Sequence, residues 1–589
     1  IIVICERIIF VRKITKCNNI SQLNVQESAV IIALCNLPYK YDPFRNYNNA
    51  LKKRNQIMYN MVRAGYLPEK EYHELKKLPI TLTKKNSLSK FSNTIAPHYI
   101  EHLRKKLEKL KGEYGFDLYE DGLVIQSTLD SRIQKIANKV VNKHISEFQK
   151  KFDKHWNWEK HKDILDDIVI RDIRGTPSYV NAKTSQEKVA VINRLKKDKT
   201  FVDSVKSRWG KIEVGFIATD VKTGEILAMV GGRNTSDGRG WNHVTQIRRQ
   251  PGSAFKPIVY SVALDNGLYP AYPILNQPFE IDGWRPENFN KKYSGFMTMR
   301  GGLKQSKNVI SARLIVEGHA PTYQVKQYAK KMGITTNVPP YYSISLGTAE
   351  VSPIDMAGVY GTLANKGIYT QPYSLKNITD KDGILIEKFV PETREALSES
   401  TSYLMVDMMR DVIKEGTGIR IWSQYQFLRD CAGKTGTTQD YRNAWFCGFT
   451  PQIAAVVWVG FDDERIYFDG PGSYGQGARA AMPIWAMFMK ELYDTIEFPE
   501  EKFEMPMNGE ISRVDFCDYS IYELGKPKLW STDCDGIKIT DLVKTTDAPM
   551  FYNSRRDTSI NIFTKYMGYD STSHEALEIR EIDSTKVEN

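Results

Sequence analysis

Three short polar strings, far apart in the chain, constrain this sequence more than any other feature. They are Ser253-Ala254-Phe255-Lys256, Ser306-Lys307-Asn308 and Lys434-Thr435-Gly436, in that order. The second begins 53 residues after the first, and the third 128 residues after the second. As an ordered set they match the signature of serine enzymes that form an acyl intermediate with a lysine as base.

Each residue type has a chemical reason. Ser253 and Lys256 stand three apart, so a helical segment places both on one face. Gln250-Pro251-Gly252 reads as the turn that starts the helix, and Pro257, lacking an amide proton, suits its first turn. A serine hydroxyl is a poor nucleophile until a base takes its proton. Lys256 serves if neutral, which requires a fall of about three pKa units from about 10.4, roughly 4 kcal/mol. A second ammonium about 4 Å away supplies about that much at an effective dielectric of 20, and Lys434 is the candidate. Desolvation works in the same direction.

Ser306 is expected between the lysines, relaying a proton to the leaving group. Asn308 is expected to hold the Lys256 amine and a substrate amide, with Lys307 pointing away. Lys434 belongs to an expected edge strand, Cys431 to Thr438. Thr435 and Thr437 offer hydroxyls to a substrate carboxylate, with Gly436 and Thr438 completing the binding strand. The backbone amides of Ser253 and Thr437 are the candidate oxyanion hole. Gly433 and Gly436 allow close backbone approach.

Similar strings recur with blander readings. Ser87 to Lys90 and Ser185 to Lys188 sit in lysine-rich polar stretches without a Pro-Gly entry and read as solvated surface. Lys222-Thr223-Gly224 reads as a hairpin turn. His243 has no Ser-His-Asp order around it, and Asp166, Asp167 and Asp172 read as a charged surface. The seven cysteines form no Cys-x-x-Cys pair, and histidines number nine, so no structural metal site is expected. Two cysteine pairs are candidate disulfides: Cys517 with Cys534 and, second in order, Cys431 with Cys447. The net charge of +12 comes without a nucleic-acid-binding motif, so no nucleic-acid partner is expected.

At 589 residues the chain is too long for one core. Residues 23–76 read as helices broken at Pro38 to Pro43 and at Gly65. A charged helix lies near Glu101 to Lys111, a strand at Leu123 to Thr128, and an amphipathic helix at Arg132 to Lys143. Residues 144–175 read as an inserted surface module, followed by a lysine-rich helix at 185–198. The 140–200 region reads as an interdomain spacer or an adaptor-binding insert. From about 212, strand Val214 to Asp220 and Glu225 to Val230 make a hairpin, and strands and helices alternate irregularly to about 494. The tail reads as weakly packed. No run of 18 apolar residues occurs. The chain starts at Ile1, and its first apolar run is interrupted by Glu6 and Arg7, which suggests a missing start.

The stretch Arg249 to Pro257 resembles the nucleophile motif of class A penicillin-binding proteins. So do Gly433 to Thr438, Ala444 to Pro451, Lys414-Glu415-Gly416-Thr417-Gly418 and Ala480 to Trp485. The resemblance runs from about residue 15 to 495 and is strongest over 213–490. It implies a multidomain α+β chain. A serine β-lactamase/transpeptidase-like domain, a five-stranded antiparallel sheet flanked by helices, follows a helical glycosyltransferase remnant. The implied segments are 1–76 (the remnant), 77–212 (an interdomain linker region with a small inserted module), 213–495 (the transpeptidase) and 496–589 (a tail).

The resemblance further implies D,D-transpeptidation. Ser253 attacks a D-Ala-D-Ala bond, D-alanine leaves, and the acyl group passes to an amine on a neighbouring stem peptide. No cofactor is implied. The implied partners are stem peptides, β-lactams as trapping inhibitors, and cell-wall assembly proteins. The implied location is the bacterial cell envelope, on the extracytoplasmic face of the inner membrane, with the anchor missing from this chain. Glu6 and Glu27 do not match the family's glycosyltransferase segments, so glycan polymerisation is expected of a longer parent and not of this chain. Two alternatives stand beside the transpeptidase: a carboxypeptidase or β-lactam hydrolase of the same fold, and a non-catalytic penicillin-binding scaffold.

Overall fold

The computed structural model describes residues 23–36, 40–41, 43, 46–80, 94–118, 121–233, 240–554 and 577–578. The expectations placed on Ile1 to Arg7, on Pro38 and Asp42 within the Pro38 to Pro43 break, and on Ser87 to Lys90 lie outside the described residues. The described residues divide into two units.

The smaller unit takes described residues from 1–92, 103–127 and 375–390. Its first part is three helices, Val25–Asn36, Tyr47–Arg63 and Glu69–Leu75. Gly65, at φ 78°, ends the second, and Pro68 stands before the first residue of the third. Ala50, Arg54 and Met58 recur every four residues and form the buried stripe of the second helix. Ala50 packs with Val30, Leu34 and Ile80, and Met58 with Ala29, Leu67 and Tyr72. Residues 103–114 of the helix Pro97–Tyr114, the charged helix expected near Glu101 to Lys111, and an antiparallel sheet of Val124–Ser127, Leu375–Thr379 and Leu385–Lys388 complete this unit. Its last two strands come from inside the range expected to be all transpeptidase, a return that local patterning does not show.

The larger unit is built on a five-stranded antiparallel sheet of β1 (Glu213–Asp220), β2 (Ile226–Val230), β3 (Ala432–Thr437), β4 (Asn443–Phe449) and β5 (Ile453–Gly460). Their order is β3-β4-β5-β1-β2, so β3 is an edge. Lys222-Thr223-Gly224 is the β1–β2 turn. The Asp220 carboxylate accepts the amides of Lys222 at 3.1 Å and Thr223 at 2.8 Å, and Gly224 takes φ 75°.

Every residue of β4 and β5 is buried, which requires cover on both faces. The helices that supply it or line the site are α1 (Ser131–His155), α2 (Lys256–Asp265), α3 (Met299–Lys304), α4 (Asn308–Val316), α5 (Pro353–Ala364), α6 (Glu399–Lys414) and α7 (Met482–Thr495). α1 and α7 share one core with Val214, Phe216, Phe446, Ala455 and Val457. α5 packs on the other face, where the Tyr360 and Phe449 rings meet at 6.1 Å.

Two expectations are corrected here. α1 does not stop near Lys143 but continues to His155, because Ile145, Phe148 and Phe152 extend its buried stripe. Ile164, Ile168, Val169 and Ile173 join the same core as the sheet, as does Val205 further along, so 144–175 is not a surface module but part of the packed core. Asp166 and Asp167 lie on its outside, facing Lys196 and Arg465, whereas Asp172, expected on the same charged surface, is largely covered and accepts from Arg208 at 3.1 Å and the Trp209 indole at 3.2 Å.

The tail, expected to be weakly packed, is also packed over its described residues 496–554. Strands β6 (Ile511–Cys517) and β7 (Lys538–Lys544) pair antiparallel. Phe516, Ile521 and Val543 bury against Tyr269 and Ala271, and Arg300 is held by Asp541, Asp407 and Asp411. Cys517 and Cys534 form a disulfide across 17 residues. Cys431 and Cys447 are free and buried. The second-ranked candidate bridge between them does not form: Cys447 lies opposite Lys434 in the ladder, three positions beyond Cys431. Closing a loop of this size is worth about 3 kcal/mol. The double substitution Cys517→Ala, Cys534→Ala is therefore expected to lower stability by about 2–3 kcal/mol in a denaturant titration. An unchanged midpoint would mean that the Phe516–Val543 core alone holds the hairpin.

Candidate active site

Ser253 lies in a 3-10 turn, Gly252–Phe255, that runs directly into α2 at Lys256. In such a turn residues i and i+3 eclipse, which is how Ser253 and Lys256 come to share a face. Pro257 falls in the first turn of α2, as expected. Gly252 has φ 55°, and a Cβ there would lie 2.6 Å from the Thr437 carbonyl oxygen, so the turn rests directly on β3. The Trp445 indole donates to the Gln250 carbonyl at 2.9 Å and the Tyr360 hydroxyl to that of Ala254 at 2.9 Å. Ser253 is half-buried, and its hydroxyl makes no hydrogen bond among the described residues.

Lys256 is fully buried. Its Nζ donates to the Ser306 carbonyl at 2.9 Å, the Lys307 carbonyl at 3.2 Å and Asn308 Oδ1 at 2.9 Å. Burial, and then the nearby Lys434 charge, hold its pKa well below the usual lysine value. Desolvation is thus the leading cause, ahead of the second ammonium that the spacing suggested. The three acceptors oppose it, since each prefers an ammonium proton.

Ser306 sits at φ 57° in the turn between α3 and α4. Lys434 Nζ donates to Ser306 Oγ at 2.9 Å and to the Thr435 carbonyl at 3.1 Å. Burial lowers the Lys434 pKa to about 7, the adjacent Cys447 opposing that shift. Ser306 therefore links the two lysines, its carbonyl to one and its hydroxyl to the other. Asn308 gives its Oδ1 to Lys256 and donates Nδ2 to the Glu287 carbonyl at 2.9 Å, leaving one amide proton for a ligand.

The binding strand divides by residue. Thr435 Oγ1 pairs with Thr417 Oγ1 at 2.9 Å. Gly436 has no room for a side chain, since a Cβ would lie 2.3 Å from the Pro251 carbonyl oxygen. Thr437 Oγ1 accepts the Gly477 amide at 3.0 Å, leaving its own proton to donate. The Thr438 hydroxyl oxygen likewise accepts an amide, that of Asn443 in the β3–β4 turn, at 3.0 Å.

Three contributors were not singled out in the sequence. Thr417 lay in a visible Gly-Thr-Gly string but carried no assigned role. Asn288 accepts the amides of Asn308 at 3.0 Å and Val309 at 3.2 Å, and no local pattern marks it. Gly347, at φ 76°, leaves no room for a Cβ beside the Gly252 carbonyl. His243 stands apart: its ring nitrogens contact the Gly231 carbonyl at 2.6 Å and Asp462 at 2.7 Å.

This geometry has counterparts. Residues 214–482 match the penicillin-binding protein transpeptidase domain. A penicillin-binding protein 1A of Aquifex aeolicus is 32% identical over 523 residues, covering 84% of this chain and 69% of the relative. One from Neisseria meningitidis is 26% identical over 537 residues, covering 80% of this chain and 64% of the relative. The crystal structure of Penicillin-Binding Protein 1A from Haemophilus influenzae superposes with a TM-score of 0.66 at 21% identity, covering 91% of this chain and 88% of that one. Among the described residues no helix is long and apolar enough to cross a membrane. The matched domain, the similarity along most of the chain and the convergence of three distant strings on one buried pair of lysines lead to one conclusion: the chain belongs to the class A penicillin-binding protein family and carries its transpeptidase domain.

Proposed function

We propose that this chain is a serine D,D-transpeptidase that cross-links peptidoglycan stem peptides and is trapped by β-lactams. The observation that carries the reading is the linkage Lys256–Ser306–Lys434 beside the Ser253 turn. Two buried lysines at one serine disfavour a full pair of protons, which leaves one amine free to act as a base.

In the first half-reaction Ser253 Oγ attacks the carbonyl carbon of the D-Ala-D-Ala bond while its proton passes to the neutral Lys256 amine. The backbone amides of Ser253 and Thr437 receive the oxyanion. Ser253 opens a helical turn, where amides have no partner within the helix, and Thr437 lies on an edge strand in contact with Gly252. The C–N bond then breaks. The departing D-alanine nitrogen takes a proton from Ser306 Oγ, which Lys434 replenishes. Thr435 and Thr437 bind the terminal carboxylate, and the remaining Asn308 amide proton binds the donor's peptide carbonyl. In the second half-reaction an amine of another stem attacks the ester, its proton passes through Ser306 Oγ back to Lys434, and the C–O bond breaks as Ser253 Oγ recovers its proton from Lys256.

No residue role in this sequence of steps calls for a cofactor. The site belongs at the extracytoplasmic face of the inner membrane, where stem peptides are joined. Cell-wall assembly proteins are candidate partners.

The test supplies a stem pentapeptide with and without an acceptor bearing a free amine, and reads products by mass spectrometry. A transpeptidase releases D-alanine and gives a cross-linked dimer when acceptor is present. A tetrapeptide alone, whatever the acceptor concentration, would instead establish a carboxypeptidase, and neither product from folded protein would leave a penicillin-binding scaffold.

A further inference from the structure

Ser306 is tied to the end of α3 by two backbone bonds. Its own amide donates to the Leu303 carbonyl at 3.0 Å, and the Lys307 amide donates to that of Gly302 at 2.8 Å. Ser306 is the left-handed residue of this helix-ending turn, at φ 57°. Where α3 lies therefore sets where Ser306 lies. One side of α3 packs tightly, since a Cβ on Gly302 would lie 2.6 Å from Ile310 Cγ2 of α4.

Arg300, two residues earlier, projects from the opposite side of the helix. Its Nη1 donates to Asp411 at 2.7 Å and its Nη2 to Asp407 at 2.7 Å, both on α6. Its Nε donates to Asp541 Oδ2 at 2.9 Å and its Nη2 to Asp541 Oδ1. This last pair is a fork onto β7, in the carboxyl-terminal tail, and such a fork fixes direction as well as distance.

The same strand reaches a second helix of the site. Three positions beyond Asp541, the Lys544 amine donates at 2.8 Å to Asp265, the last residue of α2. One tail strand thus holds both the helix that begins with Lys256 and the helix that ends at Ser306. The two carboxylates of α6 already exceed the single charge of Arg300, so neutralising it does not require Asp541. A third, buried carboxylate beside them is unfavourable by itself. What Asp541 adds is a fixed place for α3.

We propose that the carboxyl-terminal hairpin β6–β7 is a positioning element of the active site: through the Asp541–Arg300 fork it holds α3 so that Ser306 Oγ can pass the Lys434 proton to the leaving nitrogen. The inference rests on the Ser306 role proposed above. Asp541 and Arg300 touch no reacting atom and act through Ser306. Lys256 keeps a support outside α3, because it donates to Asn308 Oδ1 and Asn288 anchors Asn308. Loosening the fork therefore affects departure of the nitrogen more than attack by Ser253.

The test compares first-turnover acylation of the full chain by two donors, read as adduct mass and as thiol release. Benzylpenicillin breaks a C–N bond, and its nitrogen needs a proton. The thioester N-benzoyl-D-alanyl-thioglycolate breaks a C–S bond, and its thiolate leaves without one. Asp541→Asn keeps the side chain's size and removes its charge. It is expected to slow benzylpenicillin about ten- to hundredfold, the scale of a misplacement of about 1 Å. The thioester should slow less than about threefold, which also reports that the variant is folded. In a Ser306→Ala background the same substitution should change the benzylpenicillin rate less than about twofold, since the group it positions is already gone. Arg300→Lys keeps a charge among the carboxylates but cannot fork onto Asp541, and it should shift the ratio of the two rates in the same direction. Equal slowing of both donors, an unchanged ratio in both variants, or an Asp541→Asn effect that persists in Ser306→Ala would overturn the positioning role. Failure of either donor to acylate the wild type would overturn the acyl-enzyme reading itself.

Discussion

Incubated with benzylpenicillin, the wild-type chain is expected to gain a single covalent adduct, and Ser253→Ala none. The adduct mass equals the intact penicillin, because the lactam ring opens onto Ser253 Oγ without losing an atom. Removing the attacking oxygen leaves the remaining groups nothing to activate. The loss in acylation rate should reach about 10⁴-fold or more, the scale seen when a nucleophile is deleted from a concerted set. Alanine fits without strain, since the Ser253 hydroxyl makes no hydrogen bond among the described residues and the turn is held by Gly252, Gln250 and Ala254. Intact mass spectrometry separates the outcomes. An adduct that persists on Ser253→Ala would place the nucleophile elsewhere, and the surface string at Ser185 would be the next to examine. No adduct on folded wild type would sink the acyl-enzyme reading.

Lys434→Met is expected to impair acylation and stabilise the fold in the same variant. The catalytic loss should be about 10²–10³-fold, the range for removing a proton-transfer group. The stability gain follows from the sign of the pKa shift. Folding lowers the Lys434 value from 10.5 to about 7, so the unfolded chain binds the proton more tightly. The resulting cost is absent above about pH 10.5, grows as pH falls, and is complete near and below pH 7 at about 4–5 kcal/mol. Methionine fills a similar volume without that cost but forfeits the bonds to Ser306 and Thr435. A net gain of about 1–3 kcal/mol at pH 7 is therefore expected, shrinking towards pH 10. Urea titrations of both proteins at the two pH values check this. A variant less stable than wild type at pH 7 would show that Ser306 and Thr435 hold a charged ammonium comfortably, contrary to the proposed poise.

The two predictions draw on different levels of information. The identity of Ser253, Lys256, Ser306, Asn308 and Lys434 as a set was legible because each lies in a short string whose residue types have little local purpose. The hairpin at 213–230 and the helices of residues 25–75 were legible from alternation and from glycine and proline breaks. Other features were not. The length of α1 depended on Phe148 and Phe152 finding the sheet core, and 156–210 reads as polar surface until Ile168, Ile173 and Val205 are seen beneath it. The Cys431–Cys447 pair seemed to face each other across a hairpin, and the ladder register sets them three positions apart.

The amino-acid sequence by itself determined which side chains are on hand for the proposed chemistry, because a candidate nucleophile, base and proton relay are residue types in an order. Tertiary structure alone decided whether those groups act on one another. The fall in the Lys256 and Lys434 pKa values is chiefly desolvation, which exists only once the sheet and helices close around them. The Asn288 support of Asn308, the Thr417–Thr435 pair and the Arg300–Asp541 fork all join residues 18 or more positions apart. No local rule of propensity or spacing reaches that far, since which distant segments meet is set by the burial of both sheet faces.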